Sequence, residues 1–311
     1  MRLRLLILIT IVMAGLTDVA RAAGTASGWF GTATMPRGVR VDPPNGSNVE
    51  PRFAIAYRSR DPRNPRETVV EILLTDVELE TASMVGALSP RRAALAAEQL
   101  RHRRVISLWV RPDGTASMAV TGFSSSIQPA PTQWPTVSTI PSLKIITVHA
   151  EWAVKTASRV EGHVFSGGTI RMGSGAAYAF DLRFAVDVTP GPPADQLPLG
   201  GGDAGKALMA LLAAVNRSDW DTVKTALSTD VLQTFAPDTM PIEKIFRTRD
   251  LLSPLMPITQ TVVTNGQVIG DRAILDVETV LPGTTSVSLV RMVRSDGVWR
   301  FDEAAYIGQV Q

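Results

Sequence analysis

The sequence predicts an α+β protein made of two domains joined by a linker, and three observations support this. Residues 23–190 hold short runs rich in strand-forming residues, with a single helical segment among them. Residues 204–311 begin with helical segments and end with strand-forming runs. Residues 191–203, between the two, are rich in proline and glycine. A chain of 311 residues is long enough for two domains that each bury a core of their own.

The first 22 residues have the pattern of a secretory signal peptide. Arg2 and Arg4 give a positive start, and residues 5–16 are almost wholly apolar. Residues 20–22 (Ala-Arg-Ala) place small side chains at the two positions that a leader peptidase reads. The alternative is a membrane anchor, but a span needs about 20 apolar residues and this run is shorter. We therefore expect cleavage directly after this segment and a mature protein that is periplasmic or secreted.

Composition and charge exclude several classes of protein. The chain has no cysteine, which excludes disulfide scaffolds, thiolate metal sites and a lipid-modified N-terminal cysteine. Its formal net charge of +2 comes from the leader, which holds three arginines and one aspartate. Because the mature chain is neutral, no overall field attracts nucleic acid, and we expect no nucleic-acid partner. We also expect no stable membrane insertion after leader cleavage, since no later apolar run is long enough.

The N-terminal domain, residues 23–190, is predicted to resemble an antiparallel β-sandwich. Short strand-forming runs separated by Asp-Pro, Asp-Gly and Gly-Gly turns are typical of two stacked sheets or of one sheet closed on itself. The predicted strands cover residues 53–57, 68–74, 105–110, 116–121, 143–154, 159–165 and 178–188. One helix is expected over residues 91–100, with Ser89 as its cap and Pro90 in its first turn.

The segment at residues 191–203 is predicted to be a linker. Together with Pro190 it contains four prolines and four glycines. Proline removes backbone donors and glycine disfavours regular structure, so few strand or helix hydrogen bonds are expected there.

The C-terminal domain, residues 204–311, is predicted to begin with helices. The first covers residues 204–215, which are rich in alanine and leucine. A second is capped by Ser218 or Asp219 and ends near residue 227. The third helix and the strands of an antiparallel meander are expected at residues 243–252, 259–264, 268–280, 286–294 and 298–302. The predicted two-residue hairpin turns, whose positions favour Asn, Asp or Gly, are Asn265-Gly266 and Asp296-Gly297.

Three segments of this domain carry a family resemblance. They are KALMALLAAVNRSDW at residues 206–220, GDRA at residues 270–273 and RSDGVWR at residues 294–300. Together they resemble the nuclear transport factor 2-like superfamily over roughly residues 204–306. The resemblance implies a cone of helices closed on a curved antiparallel sheet, and members include isomerases, binders of small ligands and non-catalytic partner domains. The N-terminal domain resembles uncharacterised β-rich domains of exported bacterial proteins, which imply no activity.

Two histidines and two glutamates lie on neighbouring predicted strands. His149 and Glu151 on one strand, and Glu161 and His163 on the next, are expected to face solvent together. Such a set is suited to zinc. If His149 pairs with His163, the two glutamates oppose each other, which is destabilising without a metal. A slip of two residues puts His149 opposite Glu161 and Glu151 opposite Arg159, which satisfies both acids, so we predict no metal site.

A partial phosphate-binding motif occurs where the linker ends. Gly200, Gly205 and Lys206 have the spacing of such a loop. The chemistry also needs a strand before the loop and a Ser or Thr after the lysine to hold Mg²⁺, whereas residue 207 is Ala. We therefore predict no nucleotide or other cofactor.

An apolar ligand pocket is the candidate site of the C-terminal cone. Trp299 and Phe301 lie two residues apart and share one strand face. The predicted lining is aromatic and aliphatic, and consists of Phe235, Phe246, Leu275, Leu289, Trp299 and Phe301. The alternative is a plain hydrophobic core, because an aromatic stripe at strand spacing usually packs.

A second candidate contact lies in the N-terminal domain. Residues 124–142 form a long segment that carries Trp134 among four prolines. Loops of that length within a domain are more often functional than short ones, so Trp134 is the candidate contact with a partner. Its alternative is to pack under its own loop.

The sequence predicts an exported, non-enzymatic protein that binds a small apolar molecule or another envelope protein. The alternative is a ketosteroid-isomerase-like enzyme in the cone, whose chemistry needs a carboxylate base and an oxyanion donor. Residues 204–311 contain no histidine and one tyrosine, Tyr306, near the chain end. Asp271 lies beside a turn, and Asp276 and Glu278 are expected to face outward, so a catalytic set is not evident.

Overall fold

The computed structural model describes residues 24–32, 50–79, 88, 104–122, 146–168, 170–172, 176–235, 242–243 and 251–310. The chain forms two compact units. Unit 1 lies within Met1–Ser59 and Val69–Gly191, and unit 2 lies within Arg60–Thr68 and Pro192–Gln311. The expected signal peptide, the expected helix over residues 91–100 and Trp134 all fall outside the described residues.

The expected fold class, an α+β protein with a helical cone, is wrong. The chain is mostly β: strands account for 59% and helices for 17% of the part that the structure describes, with three α-helices and two sheets. The first helix has 15 residues, but the next two have 6 and 7, about two turns or fewer. A sizeable helical part is therefore not evident, and the sheets dominate the fold.

Unit 1 is built on one nine-stranded sheet. Its strands are β1 (Gly24–Thr32), β2 (Phe53–Asp61), β3 (Asn64–Thr75), β4 (Arg104–Val110), β5 (Ala116–Gly122), β6 (Ile146–Lys155), β7 (Arg159–Phe165), β8 (Ile170–Met172) and β9 (Ala176–Thr189). They follow the order β1-β2-β3-β4-β5-β6-β7-β9-β8. Strand β1 also pairs with β9 in antiparallel register, from Thr25 opposite Ala185 to Thr32 opposite Tyr178. The sheet thus closes on itself, and the predicted sandwich of two sheets is wrong.

Two glycines allow β1 to close the sheet against β9. A Cβ atom on Gly24 would lie 2.2 Å from the carbonyl oxygen of Ala185, and one on Gly28 would lie 2.0 Å from that of Asp181. Gly28 also has a φ of +107°, which side-chain-bearing residues rarely adopt. The interior is a continuous apolar core to which Phe30, Ile72, Leu108, Met118, Val164, Leu182 and Phe184 belong.

The outward face of this sheet has two different halves. On strands β2 to β5 it is buried, as Ile55, Leu73 and Trp109 show. On β6 the pattern is a regular alternation of half-buried and exposed residues, so its outward residues reach solvent. The exposed half of the sheet is therefore the part whose outward side chains reach solvent.

Unit 2 is built on an antiparallel five-stranded sheet. Its elements are β10 (Asp195–Gln196), α1 (Gly202–Asn216), α2 (Trp220–Thr225), α3 (Thr229–Phe235), 3-10 turns at Ser253–Leu255 and Ile258–Gln260, β11 (Thr261–Ile269), β12 (Arg272–Leu281), β13 (Thr284–Ser295) and β14 (Val298–Val310). The strand order is β10-β11-β12-β13-β14. Helix α1 buries Leu208, Leu211 and Leu212 against the sheet core.

One local prediction in this region is wrong. The proline- and glycine-rich segment carries the two-residue strand β10, which pairs with β11, and the Leu197 amide donates to the Gly266 carbonyl. Asn265-Gly266 is not a turn: β11 runs through it with a bulge between Val263 and Asn265. The chain reverses at Gly270 and Asp271 instead, between β11 and β12. The predicted turn at Asp296-Gly297 is confirmed, with both residues at positive φ.

No helix in the described ranges has the length and apolar character needed to cross a membrane.

Candidate functional site

The candidate site lies on the exposed outward surface of strands β6, β7 and β9. Along each strand, side chains alternate between the interior and solvent. Val160, Val164 and Leu182 point inward and are fully buried. The residues between them face outward, and those that meet across the three strands are His149, Glu151, His163, Phe165, Asp181 and Arg183. We call these six residues the His163 face.

Both registers considered for β6 and β7 are wrong. The structure pairs His149 with Phe165 and Glu151 with His163. A bulge between Trp152 and Val154 shifts the register beyond that point. Trp152 is held there because its Nε1 donates to the Gly114 carbonyl at 2.9 Å. Its ring also lies where a Cβ atom on Gly162 would come within 2.7 Å of it, so only glycine fits opposite.

His163 lies between two carboxylates. Its Nε2 atom is 3.0 Å from Asp181 Oδ1 on β9, and its Nδ1 atom is 3.5 Å from Glu151 Oε2 on β6. The His163 side chain is only 17% exposed, whereas those of Glu151 and Asp181 are 71% and 49% exposed. The imidazole is thus enclosed by groups that themselves reach solvent.

Aromatic stacking holds the same ring in place. The His163 and Phe165 rings stack with centroids 4.8 Å apart. His149 stacks on Phe165 from the neighbouring strand at 5.7 Å, and Gly167 lies close beside the His149 ring. The three rings form a ladder whose geometry is set by strand register and by packing, which keeps the polar groups fixed.

The hydrogen bonding of His163 decides what the ring can do. A carboxylate only accepts hydrogen bonds, so both ring nitrogens face acceptors. Nε2 is engaged by Asp181 at 3.0 Å, whereas the distance of 3.5 Å from Nδ1 to Glu151 is at the limit of a hydrogen bond. These contacts hold the ring in position among the three strands.

Arg159 organises the acids at the neighbouring end of β7. Its Nη1 atom donates to Asp187 Oδ1 at 2.8 Å, and its Nη2 atom lies 3.4 Å from Glu161 Oε2. The hydrogen bond and the charge of Asp187 raise the pKa of Arg159, with smaller contributions from Glu161. Glu161 is therefore paired within its own strand, and it does not join His149 or Glu151.

A metal centre is not assembled by these side chains. Within the described ranges, no three His, Asp or Glu residues are grouped as a metal site requires. His149, which the sequence analysis considered as a zinc ligand, stacks on Phe165 instead.

The partial phosphate-binding motif forms a helix start. Helix α1 begins at Gly202, and Lys206 pairs with Asp203 at 2.9 Å. A Cβ atom on Gly205 would lie 1.9 Å from the Gly200 carbonyl oxygen, so this glycine is required for close packing of the turn. The motif thus has a structural explanation in its own contacts.

The six predicted pocket residues of unit 2 do not form one lining. Leu275 and Phe301 are fully buried in the same apolar core. Trp299 is half-buried and packs on that core, and the Arg294 guanidinium lies 5.3 Å from the centre of its ring. Leu289 pairs with Asp276 and faces the opposite side of the sheet.

The two remaining pocket residues lie largely outside the described chain. Phe235 ends helix α3, and nothing is described of its side chain. Phe246 falls outside the described residues.

The groups needed for the isomerase alternative do not meet. Asp271 accepts from Arg294 at 3.0 Å at one end of the sheet. Tyr306 pairs with Ser288, six residues along β13 from Arg294, which corresponds to about 20 Å of strand. Partial burial raises the pKa of the Tyr306 phenol. A base and an oxyanion donor at this separation cannot act on one substrate.

Sequence reasoning selected His149, Glu151 and His163 but missed Phe165, Asp181 and Arg183. The last two lie at outward, odd-numbered positions of a run that was correctly predicted as a strand. The sequence pattern alone could therefore have placed both side chains on the outward face. What the sequence did not show is that β7 lies between β6 and β9, which brings Asp181 to His163.

The chain matches no protein-family model, no curated protein and no solved structure. The resemblance of residues 204–306 to the nuclear transport factor 2-like superfamily therefore stays a prediction.

Proposed function

We propose that this is an exported, non-enzymatic binding protein that recognises another protein of the cell envelope through the His163 face. The observation that carries the proposal is the position of His163 between Asp181 and Glu151, on the exposed half of a closed sheet. Export is supported by the sequence pattern of the first 22 residues.

Fixed charge on rigid strands favours recognition. The side chains of the His163 face stand on three hydrogen-bonded strands, and His163 contacts Glu151, Asp181 and Phe165, so little conformational freedom of these groups is lost when a partner binds. Glu151, Asp181 and Arg183 present both signs of charge to solvent. Such a pattern selects a partner of complementary charge and rejects others, which is how interfacial charges give specificity.

The other candidate functions have less support. An apolar ligand in unit 2 would have to displace Leu275 and Phe301, which are already fully buried in its core. The isomerase alternative needs Asp271 and Tyr306 to meet, and the sheet holds them apart.

The test compares mature wild-type protein with the double variant Glu151→Gln/Arg183→Gln in binding to an envelope extract. The matched control is Arg272→Gln, which removes an exposed charge from unit 2. We expect a defined protein to be retained by the wild type and the control, and retention to fall about tenfold or more in the face variant. Equal retention by all three proteins, with unchanged thermal unfolding, would exclude the His163 face as the recognition surface. Export is tested separately: N-terminal sequencing of the mature protein should begin at Ala23.

A further inference from the structure

The row of outward residues through His163 continues onto strand β1. His163 on β7 lies directly opposite Arg183 on β9, and Arg183 lies directly opposite Ser27 on β1. Thr25, two residues before Ser27, points to the same side of the sheet and lies opposite Ala185. Directly opposite side chains have Cβ atoms about 5 Å apart, so neighbours of this kind can contact one ligand together. We call Arg183, Ser27 and Thr25 the Arg183 site.

The polar groups of the Arg183 site are open to solvent. Arg183 is exposed, and it makes no ion pair or hydrogen bond with any residue that the structure describes. Ser27 and Thr25 are exposed as well, and no described residue bonds to their hydroxyl groups. A guanidinium and two hydroxyls, all of which donate hydrogen bonds, therefore stand side by side with their side-chain donors directed to solvent.

The acids around Arg183 are already engaged by other groups. Asp181 Oδ1, the nearest acid along β9, lies 3.0 Å from the imidazole on β7. Asp187 accepts from Arg159 at 2.8 Å, and Glu161 lies 3.4 Å from the same guanidinium. The charges of these acids are thus balanced within the protein, which leaves Arg183 available to an anion that comes from outside.

We propose that the Arg183 site binds a carboxylate group of the envelope protein, an assignment that rests on the recognition function proposed above. The planar fork of a guanidinium matches the two oxygens of a carboxylate, and the adjacent hydroxyls can donate to the same oxygens. Ala185 contributes only a methyl group beside Arg183 and Thr25, so the ligand oxygens can approach the strands there.

Neighbouring charge selects a carboxylate over a phosphate. Asp181 and Asp187 lie two and four residues from Arg183 on the same face of β9, about 7 and 14 Å along the strand. These acids repel a phosphate with two negative charges more strongly than a carboxylate with one. The site therefore favours a singly charged group, which in a protein is an Asp or Glu side chain or the C-terminus of a chain.

The hydroxyls distinguish this site from an isolated surface arginine. Arg272 of unit 2 is also exposed and makes no ion pair with the described residues, but the residues opposite it are Ile269 and Val293. Its guanidinium stands between two apolar side chains. Arg272 is therefore the matched control, because it has the same charge and exposure without the neighbouring donors.

The experiment titrates the whole mature chain with sodium acetate and follows the arginine Nε–Hε groups by NMR, while sodium chloride keeps the ionic strength constant. The proteins are wild type, Arg183→Lys, Ser27→Ala and the control Arg272→Lys. Sodium phosphate is titrated for comparison. Two short peptides then distinguish the sources of the carboxylate: N-acetyl-Gly-Glu-Gly-amide carries it on a side chain, and N-acetyl-Gly-Gly-Gly carries it at the C-terminus.

We expect the Arg183 resonance to shift saturably, with an apparent affinity for acetate at least about threefold higher than that of Arg272. Arg183→Lys and Ser27→Ala, followed through neighbouring backbone amides, should each weaken acetate binding about twofold or more, whereas Arg272→Lys should leave it unchanged. The peptide that binds more tightly identifies the source of the carboxylate. Equal affinities at Arg183 and Arg272, or tighter binding of phosphate than of acetate, would overturn the proposal.

The two proposals fail in different ways. If the wild type retains an envelope protein but the Arg183 resonance does not respond to acetate, the carboxylate assignment is wrong and the His163 face stands. If Arg183 responds to acetate but no envelope protein is retained, the site binds carboxylates and recognition of an envelope protein is wrong.

Discussion

His163 Nε2 lies 3.0 Å from Asp181 Oδ1 across the pairing of β7 with β9. The same ring faces Glu151 on β6 through its other nitrogen. One imidazole therefore connects three strands on the exposed half of unit 1. This connection is the centre of the proposed recognition surface, and its energetic contribution can be measured.

A double-mutant cycle of His163→Ala and Asp181→Ala should give a small coupling free energy, about 0.5 kcal/mol, because the pair is half in contact with water and is screened. The measurement is urea unfolding of the two single variants and the double variant. A coupling of several kcal/mol would mean that this pair holds the fold together, which would weaken its assignment to recognition.

The sheet closure of unit 1 should depend on Gly28. Replacing Gly28 with Ala puts a Cβ atom 2.0 Å from the Asp181 carbonyl oxygen at a positive φ, so we expect a loss of about 2 kcal/mol or more in the free energy of unfolding. The matched control is Gly168→Ala, where no atom lies within 4 Å of the new Cβ and we expect a change within about 0.5 kcal/mol. Equal effects of the two substitutions would show that β1 tolerates a side chain at this contact.

In unit 1, the sequence predicted the elements that depend on local patterns but not those that depend on contacts between distant segments. Strand β7 was predicted with its observed bounds, 159–165, because its signal is local alternation. Strand β1 was not predicted, since its sequence GTASGWFGT is rich in glycine, serine and threonine. Its pairing with β9 is a contact of long sequence separation. The closed sheet depends on that pairing, so local patterns did not distinguish it from a sandwich.

The prediction that Leu289 lines a pocket with Leu275 and Phe301 was wrong for a different physical reason. On β13 both alternating sets contain apolar residues: Val290 and Met292 face the helices, while Val287 and Leu289 face outward. Pro62 and Pro65 lie against Gly308 on that side of the sheet. Alternation alone could not assign the two faces, because this contact comes from a distant part of the sequence.

A buried hydroxyl pair in unit 2 should show an asymmetric response to mutation. Thr261 Oγ1 lies within hydrogen-bond distance of the Leu255 carbonyl at 2.9 Å and the Pro257 carbonyl at 3.2 Å, and it shares a hydrogen bond of 2.9 Å with Thr279 Oγ1. Thr261→Val leaves two buried groups without their bonds and should cost about 2 kcal/mol, whereas Thr279→Val removes one bond and should cost about 1 kcal/mol. The double variant, measured by thermal unfolding, should cost less than the sum. Strict additivity would contradict the chain of hydrogen bonds.

The bulge on β14 should be a stability determinant of unit 2. Asp302 sits at a register shift, is only 9% exposed, and accepts from Arg291 and from Ser228 Oγ. Asp302→Ala leaves the Arg291 charge without one of its partners and the Ser228 hydroxyl without its acceptor. We expect a loss of about 3 kcal/mol in the free energy of unfolding.

The control for this prediction is Asp271→Ala, which breaks the exposed pair with Arg294 and should change stability by no more than about 0.5 kcal/mol. If the two aspartates had equal effects, burial at the bulge would not be what makes Asp302 important.

The most direct test of the account is site-specific photo-crosslinking in cells that export the protein. A photoreactive amino acid replaces Glu151 on the His163 face in one protein and Arg272 on unit 2 in the other. We expect a defined crosslink to an envelope protein from position 151, lost when Arg183→Gln is added, and no such product from position 272. Absence of a crosslink at position 151, or the same products from both positions, would contradict recognition through the His163 face.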